Sequence, residues 1–289
     1  MSVVPPVTSP RDLASAYAAL DAGTADAPIR PIAGGTDLMV ALQGELGDPP
    51  AGVVDLWAID ALRGITVDGD TLVMGALTTY ADIRRSPLCR EHLPALVEAA
   101  ASIGAVQIQA RGTIGGNVAN ASPAGDTLPL LLATDAAFVL GSTRGERTIA
   151  AADFWTGYRQ TALAHDELVL AVRLPLRPDR TLHYRKVGTR RAQSISKVVA
   201  AVARRDTGPD GVWRDVRVAF GSVAATPIRA TRTEAALEGR PPTPEVADRA
   251  AEILAAELQP IDDVRSTAEY RRIVAARVLY RVIREAGGW

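Results

Sequence analysis

Residues 31–38 read Pro-Ile-Ala-Gly-Gly-Thr-Asp-Leu, and residues 112–117 read Gly-Thr-Ile-Gly-Gly-Asn. Each stretch combines paired glycines with a threonine. Glycine has no Cβ atom, so successive backbone N–H groups can converge on one anion. One Gly-Gly pair usually marks only a tight turn, but a diphosphate has enough charge and acceptor oxygens to engage two such loops. The two stretches together favour a dinucleotide cofactor.

The residues that follow the second glycine pair add polar groups. Asn117 and Asn120 are the only asparagines of the chain, and residues 120–126 read Asn-Ala-Ser-Pro-Ala-Gly-Asp. Small side chains without a regular period predict a loop over residues 110–126. Lys186, one of two lysines, lies at the end of a predicted strand. Its functional interpretation is a point charge near a cofactor ring or phosphate, and its structural one is a solvated surface charge.

Hydrophobic periodicity predicts two units of strands and helices with a boundary near residues 177–179. Before it, we predict a helix that begins at Ser9-Pro10, helices over 93–101 and 127–133, strands over 29–33, 53–56, 137–140 and 168–174, and a hairpin that turns at Asp68-Gly69. After it, we predict strands over 181–187, 195–203 and 213–220, then helices over 231–237, 244–258 and 268–285. Strands followed by helices indicate an α+β unit rather than repeating βαβ units.

The composition excludes several classes of protein. The 289 residues contain one cysteine, Cys89, so the chain cannot alone form a disulfide framework or a four-cysteine iron–sulfur or zinc site. A formal net charge of −1 gives no general attraction to nucleic acid. No signal peptide or membrane-length apolar run is visible, so we expect a cytoplasmic protein. The histidines are isolated, and no metal-ligating or catalytic residue is predicted.

Short motifs in a fixed order resemble those of a known family. They lie at residues 33–38, 113–117, 121–126, 154–159, 166–170, 185–188 and 190–191. Together they resemble the FAD-binding medium subunit of molybdenum hydroxylases, the group of xanthine dehydrogenase and carbon monoxide dehydrogenase. The resemblance implies an α+β fold: a two-lobed FAD-binding domain of the vanillyl-alcohol-oxidase-like type over 1–176, with lobes of about 1–57 and 58–176, then a smaller α+β domain over 177–289 with a three-stranded sheet and helices.

The resemblance also implies a set of residues that bind FAD without a covalent bond. The first loop would wrap the diphosphate through its N–H groups, and Thr113, Gly116 and Asn117 would hold the other side. Asp126 would reach the sugar or adenine end, and Lys186 would lie near the isoalloxazine. Ile103 would lie beside the flavin or the adenine rings, and Val169 would contact the adenine portion through its backbone. The predicted set is Pro31, Ile32, Ala33, Gly34, Gly35, Thr36, Asp37, Leu38, Ile103, Thr113, Ile114, Gly115, Gly116, Asn117, Asn120, Asp126, Val169 and Lys186.

The function that the resemblance implies is electron relay. Substrate would be oxidised at a molybdenum–pterin centre on a large subunit, and electrons would pass through [2Fe-2S] clusters of a small subunit to the FAD of this chain. The final acceptor would be NAD+, oxygen or another compound, and the assembly a dimer of heterotrimers. Residues 192–194, Ala-Gln-Ser, stand where some NAD-dependent relatives have acidic residues, which leaves the acceptor open.

Two alternatives remain open from the sequence. One is a self-sufficient FAD-dependent oxidase or reductase of the same broad fold. The other is a non-enzymatic scaffold that has lost FAD. A bound flavin would distinguish the electron-transfer subunit and the self-sufficient enzyme from the scaffold. Co-purifying partner chains would distinguish the electron-transfer subunit from the self-sufficient enzyme.

Overall fold

A small parallel sheet organises the N-terminal lobe. The computed structural model describes residues 5–44, 48–190, 193–207 and 211–289. The strand order in this sheet is β1-β3-β2, and both pairings are parallel. β2 and β3 therefore end side by side, where the first glycine stretch begins. In chain order the elements are β1 (Val7–Thr8), α1 (Leu13–Asp21), β2 (Ile29–Ile32), α2 (Leu38–Gln43) and β3 (Gly52–Asp55).

The first helix begins later than predicted. Ser9-Pro10 predicts its start, but α1 begins at Leu13 because the Asp12 carboxylate accepts the N–H of Ser15 at 2.8 Å and caps the helix. The segment before the cap contains β1, which pairs with β3. The predicted strands over 29–33 and 53–56 are confirmed as β2 and β3.

An antiparallel sheet organises the second lobe, with the strand order β4-β5-β10-β6-β7. The predicted hairpin at Asp68-Gly69 and the strands over 137–140 and 168–174 are confirmed. β7 was not predicted because it is an edge strand with mostly exposed side chains and no apolar alternation. The strands are β4 (Ile65–Asp68), β5 (Thr71–Gly75), β6 (Ala137–Ser142), β7 (Gly145–Ala150) and β10 (Leu168–Pro175), with a separate hairpin of β8 (Trp155–Gly157) and β9 (Gln160–Thr161).

Short helices surround this second sheet. The predicted helices over 93–101 and 127–133 are confirmed, at Pro94–Ser102 and Leu128–Ala133. A 3-10 turn at Asp60–Leu62 precedes β4. The helices are α3 (Tyr80–Arg85), α4 (Pro87–His92), α5 (Pro94–Ser102), α6 (Val106–Arg111), α7 (Ile114–Asn120), α8 (Leu128–Ala133) and α9 (Ala151–Phe154).

The predicted loop over residues 110–126 is wrong in its centre, which forms α7. Thr113 caps this helix by accepting the N–H of Gly116 at 3.0 Å. Gly115 packs so closely that an ideal Cβ atom would lie 2.5 Å from the Cβ of Ala76. Paired glycines have low helix propensity, so close packing and the cap hold the helix where the sequence pattern predicts none.

The C-terminal unit is an antiparallel sheet followed by helices. Its strand order is β11-β12-β13-β14. Four strands are present among the described residues where three were predicted, because the two-residue β14 is too short for a periodic signal. The predicted helices are confirmed. The elements are β11 (Arg180–Val187), β12 (Val198–Thr207), β13 (Val212–Gly221), β14 (Ile228–Arg229), α10 (Thr231–Leu237), α11 (Pro244–Glu257) and α12 (Ala268–Gly287).

The C-terminal sheet is covered on both faces. Alternate residues of β12 pack into different cores. Val199 and Ala201 join the core that the N-terminal and second lobes share, whereas Val198 and Val202 pack with α10, α11 and α12. α8 contacts β12 and β13, and α5 contacts β11. This packing brings the end of β11 to the segment that contains the second glycine stretch. Across the described ranges, no helix has the length and apolarity needed to span a bilayer.

Candidate cofactor-binding site

Residues 33–37 connect β2 to α2 as an open turn. Gly35 has a φ of +76°, a left-handed conformation that favours glycine. Its carbonyl oxygen accepts the N–H of Met39 at 3.1 Å, close to the start of α2. Within the described part of the chain, the N–H groups of Gly34, Gly35 and Thr36 donate to no protein acceptor. Three adjacent donors are therefore available to an anion.

The N–H groups of the second stretch are instead used inside the protein. Ile114 and Gly115 donate to backbone carbonyls that follow β5, and Gly116 donates to Thr113 Oγ1 at 3.0 Å. Asn117 donates its N–H to the Thr113 carbonyl. The second open row of N–H groups that the sequence suggests is thus absent from this described segment. The stretch offers the hydroxyl of Thr113 and the amide of Asn117.

The two stretches meet through glycine. An ideal Cβ atom on Gly34 would lie 1.8 Å from the carbonyl oxygen of Arg111, so the backbones touch where no other residue fits. Arg111 Nε donates to the Gly34 carbonyl at 3.5 Å. Further along, an ideal Cβ on Gly116 would lie 3.9 Å from the Cβ of Ala33. The two stretches therefore face each other where the two lobes meet, and we call them the two walls of a candidate cleft.

The two asparagines are oriented by hydrogen bonds to their oxygens. Asn117 Oδ1 accepts the hydroxyl of Thr127 at 2.6 Å, and Asn120 Oδ1 accepts Arg159 Nη1 at 3.0 Å. Because each oxygen accepts a hydrogen bond and neither NH2 group donates to an acceptor within the described ranges, each amide can offer its NH2 group to a ligand. Both asparagines lie on α7, so the second wall carries amide donors along its length.

Asp126 and Lys186 form an ion pair that joins the second lobe to the C-terminal unit. Lys186 Nζ donates to Asp126 Oδ2 at 2.6 Å and to the Ser102 carbonyl at 3.0 Å. The hydroxyl of Ser196 donates to Asp126 Oδ1. The side chains of Lys186 and Asp126 are 9% and 12% exposed. Of the two interpretations of Lys186, the solvated surface charge is wrong.

Burial controls the ionisation of the groups beside this pair. It raises the pKa of the Asp126 carboxyl, and Lys186 and Ser196 counter that effect without cancelling it. Burial also raises the pKa of the Tyr80 and Tyr184 phenols, with a further contribution from the charge of Asp126. Both phenols therefore remain protonated hydrogen-bonding groups at neutral pH.

A buried glutamine that no sequence pattern indicates fixes the segment that contains Ile103. Gln109 Nε2 donates to the carbonyl of Ile103 at 2.9 Å and to that of Ala101 at 3.2 Å. Arg84 Nη1 donates to Gln109 Oε1. Lys186 Nζ donates to the carbonyl of Ser102, so each of the three carbonyls of residues 101–103 accepts a side-chain hydrogen bond. No local pattern marks Gln109, because its partners are brought to it by the fold.

The other predicted residues lie at the rim of the cleft or in the sheet. Val169 is buried in β10 opposite Leu140, next to a bulge in the pairing with β6. Pro31 and Asp37 are exposed at the two ends of the first loop. The structure thus brings the two glycine stretches together, and Asp126, Lys186 and Ser102 together, but it places Val169 in the sheet. Among the described residues, no group of His, Cys, Asp and Glu could hold a metal ion.

A parallel lobe and an antiparallel lobe meet at the two glycine stretches, an arrangement that fits a protein that binds a nucleotide cofactor. Comparison with known proteins specifies the class. Residues 3–177 match the family described as FAD binding domain in molybdopterin dehydrogenase. Residues 183–286 match the CO dehydrogenase flavoprotein C-terminal domain.

Full-length relatives agree with this match. The chain is 32% identical to the carbon monoxide dehydrogenase medium chain of Hydrogenophaga pseudoflava, over 96% of this chain and 95% of the relative. It is 34% identical to the nicotine 6-hydroxylase medium subunit of Paenarthrobacter nicotinovorans, over 95% of each. The structure of CO dehydrogenase from Oligotropha carboxidovorans superposes with a TM-score of 0.93 at 31% identity, covering 100% of this chain and 99% of that one.

The chain therefore belongs to the family of FAD-binding domains of molybdopterin dehydrogenases. It is an FAD-binding subunit of an oxidoreductase of the molybdenum hydroxylase family. The family and the fold expected from the sequence motifs are confirmed.

Proposed function

We propose that this chain is the FAD-carrying electron-transfer subunit of a molybdenum hydroxylase complex. It accepts electrons from [2Fe-2S] clusters of a partner subunit and passes them to NAD+, oxygen or another acceptor. The observation that carries the proposal is the contact of Gly34 with the Arg111 backbone, beside three N–H groups that find no acceptor in the described part of the chain. This cleft fits a diphosphate because one wall supplies backbone donors and the other supplies hydroxyl and amide donors.

The proposed cofactor residues divide by their position in the cleft. The N–H groups of Gly34, Gly35 and Thr36 would hold the diphosphate from one side, and Thr113 and Asn117 from the other. Asn120 supplies a further amide donor on α7. The residues that shape the loops are Pro31, Ile32, Ala33, Asp37, Leu38, Ile114, Gly115 and Gly116, and those proposed for the ring and adenine ends are Ile103, Asp126, Val169 and Lys186.

Bound FAD supplies the redox chemistry, and the protein supplies position and electrostatics. The Lys186 ammonium is held against the Asp126 carboxylate and the Ser102 carbonyl. Because the two charges are paired, they contribute an oriented dipole near the proposed ring site rather than a net positive charge. Both oxygens of Asp126 are engaged inside the protein, so a contact with the cofactor sugar would require one of these bonds to be shared.

The names of the relatives support partner subunits. One relative is named a medium chain of carbon monoxide dehydrogenase and another a medium subunit of nicotine 6-hydroxylase. Both names describe one chain of an enzyme that has several. We propose a large molybdopterin-binding subunit and a small [2Fe-2S] subunit as partners, in a cytoplasmic dimer of heterotrimers. We also propose a boundary between the FAD-binding domain and the C-terminal domain at 176/177, close to where the two family matches divide.

For the final electron acceptor we propose only the class of NAD+, oxygen or another compound. Arg190 donates to the Gln193 carbonyl, and Ser194 Oγ donates to the Arg190 carbonyl at 3.0 Å. Residues 191 and 192, which belong to the motif discussed for the acceptor, lie outside the described residues. The self-sufficient oxidase is the second candidate function, and the subunit names of the relatives favour the electron-transfer subunit over it.

Isolation of the chain with its natural partners tests the proposal. A tag on this chain should retain two further chains, with molybdenum and iron in the complex. After the subunits are separated, flavin should remain with this chain and the metals with the partners. A flavin-containing chain that turns over an organic substrate alone would instead establish the self-sufficient oxidase.

A further inference from the structure

Trp57 lies where the two lobes and the two glycine stretches meet. It follows β3 by two residues, and its N–H donates to Asp55 Oδ1 at 2.9 Å. The guanidinium carbon of Arg111 lies 3.8 Å from the centre of the indole ring, and that of Arg63 lies 4.5 Å from it. An indole attracts a cation over its face, so one ring binds two arginines.

Arg63 fixes this tryptophan to the second lobe. Its Nη2 donates to the Trp57 carbonyl at 2.7 Å, so one guanidinium engages both the ring and the backbone. Arg63 follows the 3-10 turn that leads into β4. The end of the first sheet is thereby held against the start of the second.

Arg111 connects the tryptophan to the cofactor cleft. Its backbone is the surface on which Gly34 packs, and its Nε donates to the Gly34 carbonyl. Arg111 is also the last residue of α6, two positions before Thr113 caps α7. One residue therefore contacts the first glycine stretch and leads into the second.

The indole also holds two like charges near each other. Both guanidinium groups lie within 4.5 Å of the centre of the same ring. Without the ring, these two cations would repel each other at the joint between the lobes. The expected response is displacement of Arg111, and Gly34 would lose the backbone on which it packs.

We propose that Trp57 is a positioning residue for the cofactor, which sets the spacing of the two glycine stretches through Arg111. This inference rests on the proposed assignment of the stretches as the FAD diphosphate site. Trp57 itself need not touch the cofactor. Its effect should appear in FAD affinity, and it should depend on the presence of Arg111.

The test is titration of FAD into the complex after removal of its flavin, followed by fluorescence. Trp57→Leu should weaken FAD binding roughly tenfold, since two cation–ring contacts are lost, whereas Trp57→Phe keeps a ring and should stay near wild type. Arg111→Gln should weaken binding to a similar degree. The double variant Trp57→Leu/Arg111→Gln should bind no more weakly than the weaker single variant, because the two residues act through one contact. Trp289→Leu, which removes a tryptophan of the C-terminal unit, should have no effect.

Gly116→Asp distinguishes failure of the proposed diphosphate site from failure of the positioning role of Trp57. If it leaves FAD affinity unchanged, the proposed diphosphate site is wrong. If it abolishes binding while Trp57→Leu binds like wild type, the site stands and the positioning role is overturned. Equal losses in Trp57→Leu and Trp57→Phe, or additive losses in the double variant, would also overturn it. Should Trp57→Leu fail to fold, the comparison of Trp57→Phe with Arg111→Gln decides, because the proposal predicts a loss only in the latter.

Discussion

At the scale of single residues, both the sequence pattern and the geometry explain why residue 34 is a glycine. The sequence suggests that paired glycines allow N–H groups to converge, and the structure gives Gly34 a second reason, the absence of space for a Cβ atom against Arg111. Lys186 and Asp126 show the limit of sequence reasoning. Both were selected as cofactor residues from motifs, but nothing local reveals that residues 60 positions apart form one ion pair.

Gly34→Ala tests the close contact of the two stretches. The new Cβ would require the Arg111 carbonyl to move, since an ideal Cβ atom on residue 34 lies only 1.8 Å from its oxygen. We expect FAD affinity to fall at least roughly tenfold, because displaced donors no longer match one ligand. Gly52→Ala is the matched control: it lies in the same lobe, and its nearest neighbours at 3.6 Å make ordinary contacts. Wild-type affinity in Gly34→Ala, measured by the same FAD titration, would contradict this account.

At the scale of elements, the sequence predicts those that carry a strong periodic pattern. The buried strand β10 and the amphipathic helices α11 and α12 are found where expected. α7 was missed because tertiary packing of Gly115 and the Thr113 cap override low helix propensity. The exposed strand β7 and the two-residue β14 carry too little apolar signal to be read. Gln109 was missed for a related reason, since its role is defined by partners outside its own helix.

Gln109→Leu tests how strongly the segment over 101–103 is held. The change leaves two carbonyls without a donor and Arg84 without its acceptor, so the free energy of unfolding should fall by roughly 2–4 kcal/mol. Urea denaturation monitored by circular dichroism measures the difference. Gln107→Leu, an exposed position on the same helix α6, is the control and should change stability little. Equal stability of Gln109→Leu and wild type would show that these bonds are dispensable.

At the scale of the whole molecule, a network of ion pairs joins the C-terminal unit to the second lobe. Asp135, between α8 and β6, accepts hydrogen bonds from Arg180, Arg217 and Arg229 at 3.1, 3.0 and 3.2 Å. Asp215 on β13 also pairs with Arg180 and Arg217. The sequence shows the arginine-rich composition of this unit but not its partners. The network surrounds the face on which α8 packs, and it complements the apolar contact.

Asp215→Asn should destabilise the protein at neutral pH but not in acid. Burial raises the pKa of Asp215, but Arg180, Arg217 and Arg205 lower it by more, so the pKa lies below its usual value. A lowered pKa in the folded state adds stability above the unfolded value of about 3.9, and this stability is lost as pH falls through the folded value. The difference in unfolding free energy between wild type and variant should therefore be constant from pH 7 to 5 and shrink below pH 4.

The control for this pH profile is Asp153→Asn, an exposed carboxylate of α9 without an ion pair among the described residues. It should show no pH-dependent difference of this kind. A difference for Asp215→Asn that is the same at pH 3 and pH 7 would exclude its ionised carboxylate as the cause.

The most direct test of the central claim is the visible absorption spectrum of the purified chain, before and after denaturation, with the released compound identified by mass. We expect a flavin spectrum in the wild type, FAD in the released fraction, and loss of both in Gly116→Asp, which places a carboxylate in the cleft proposed for the diphosphate. A colourless wild-type chain that takes up no added FAD, alone or with its partners, would contradict the account.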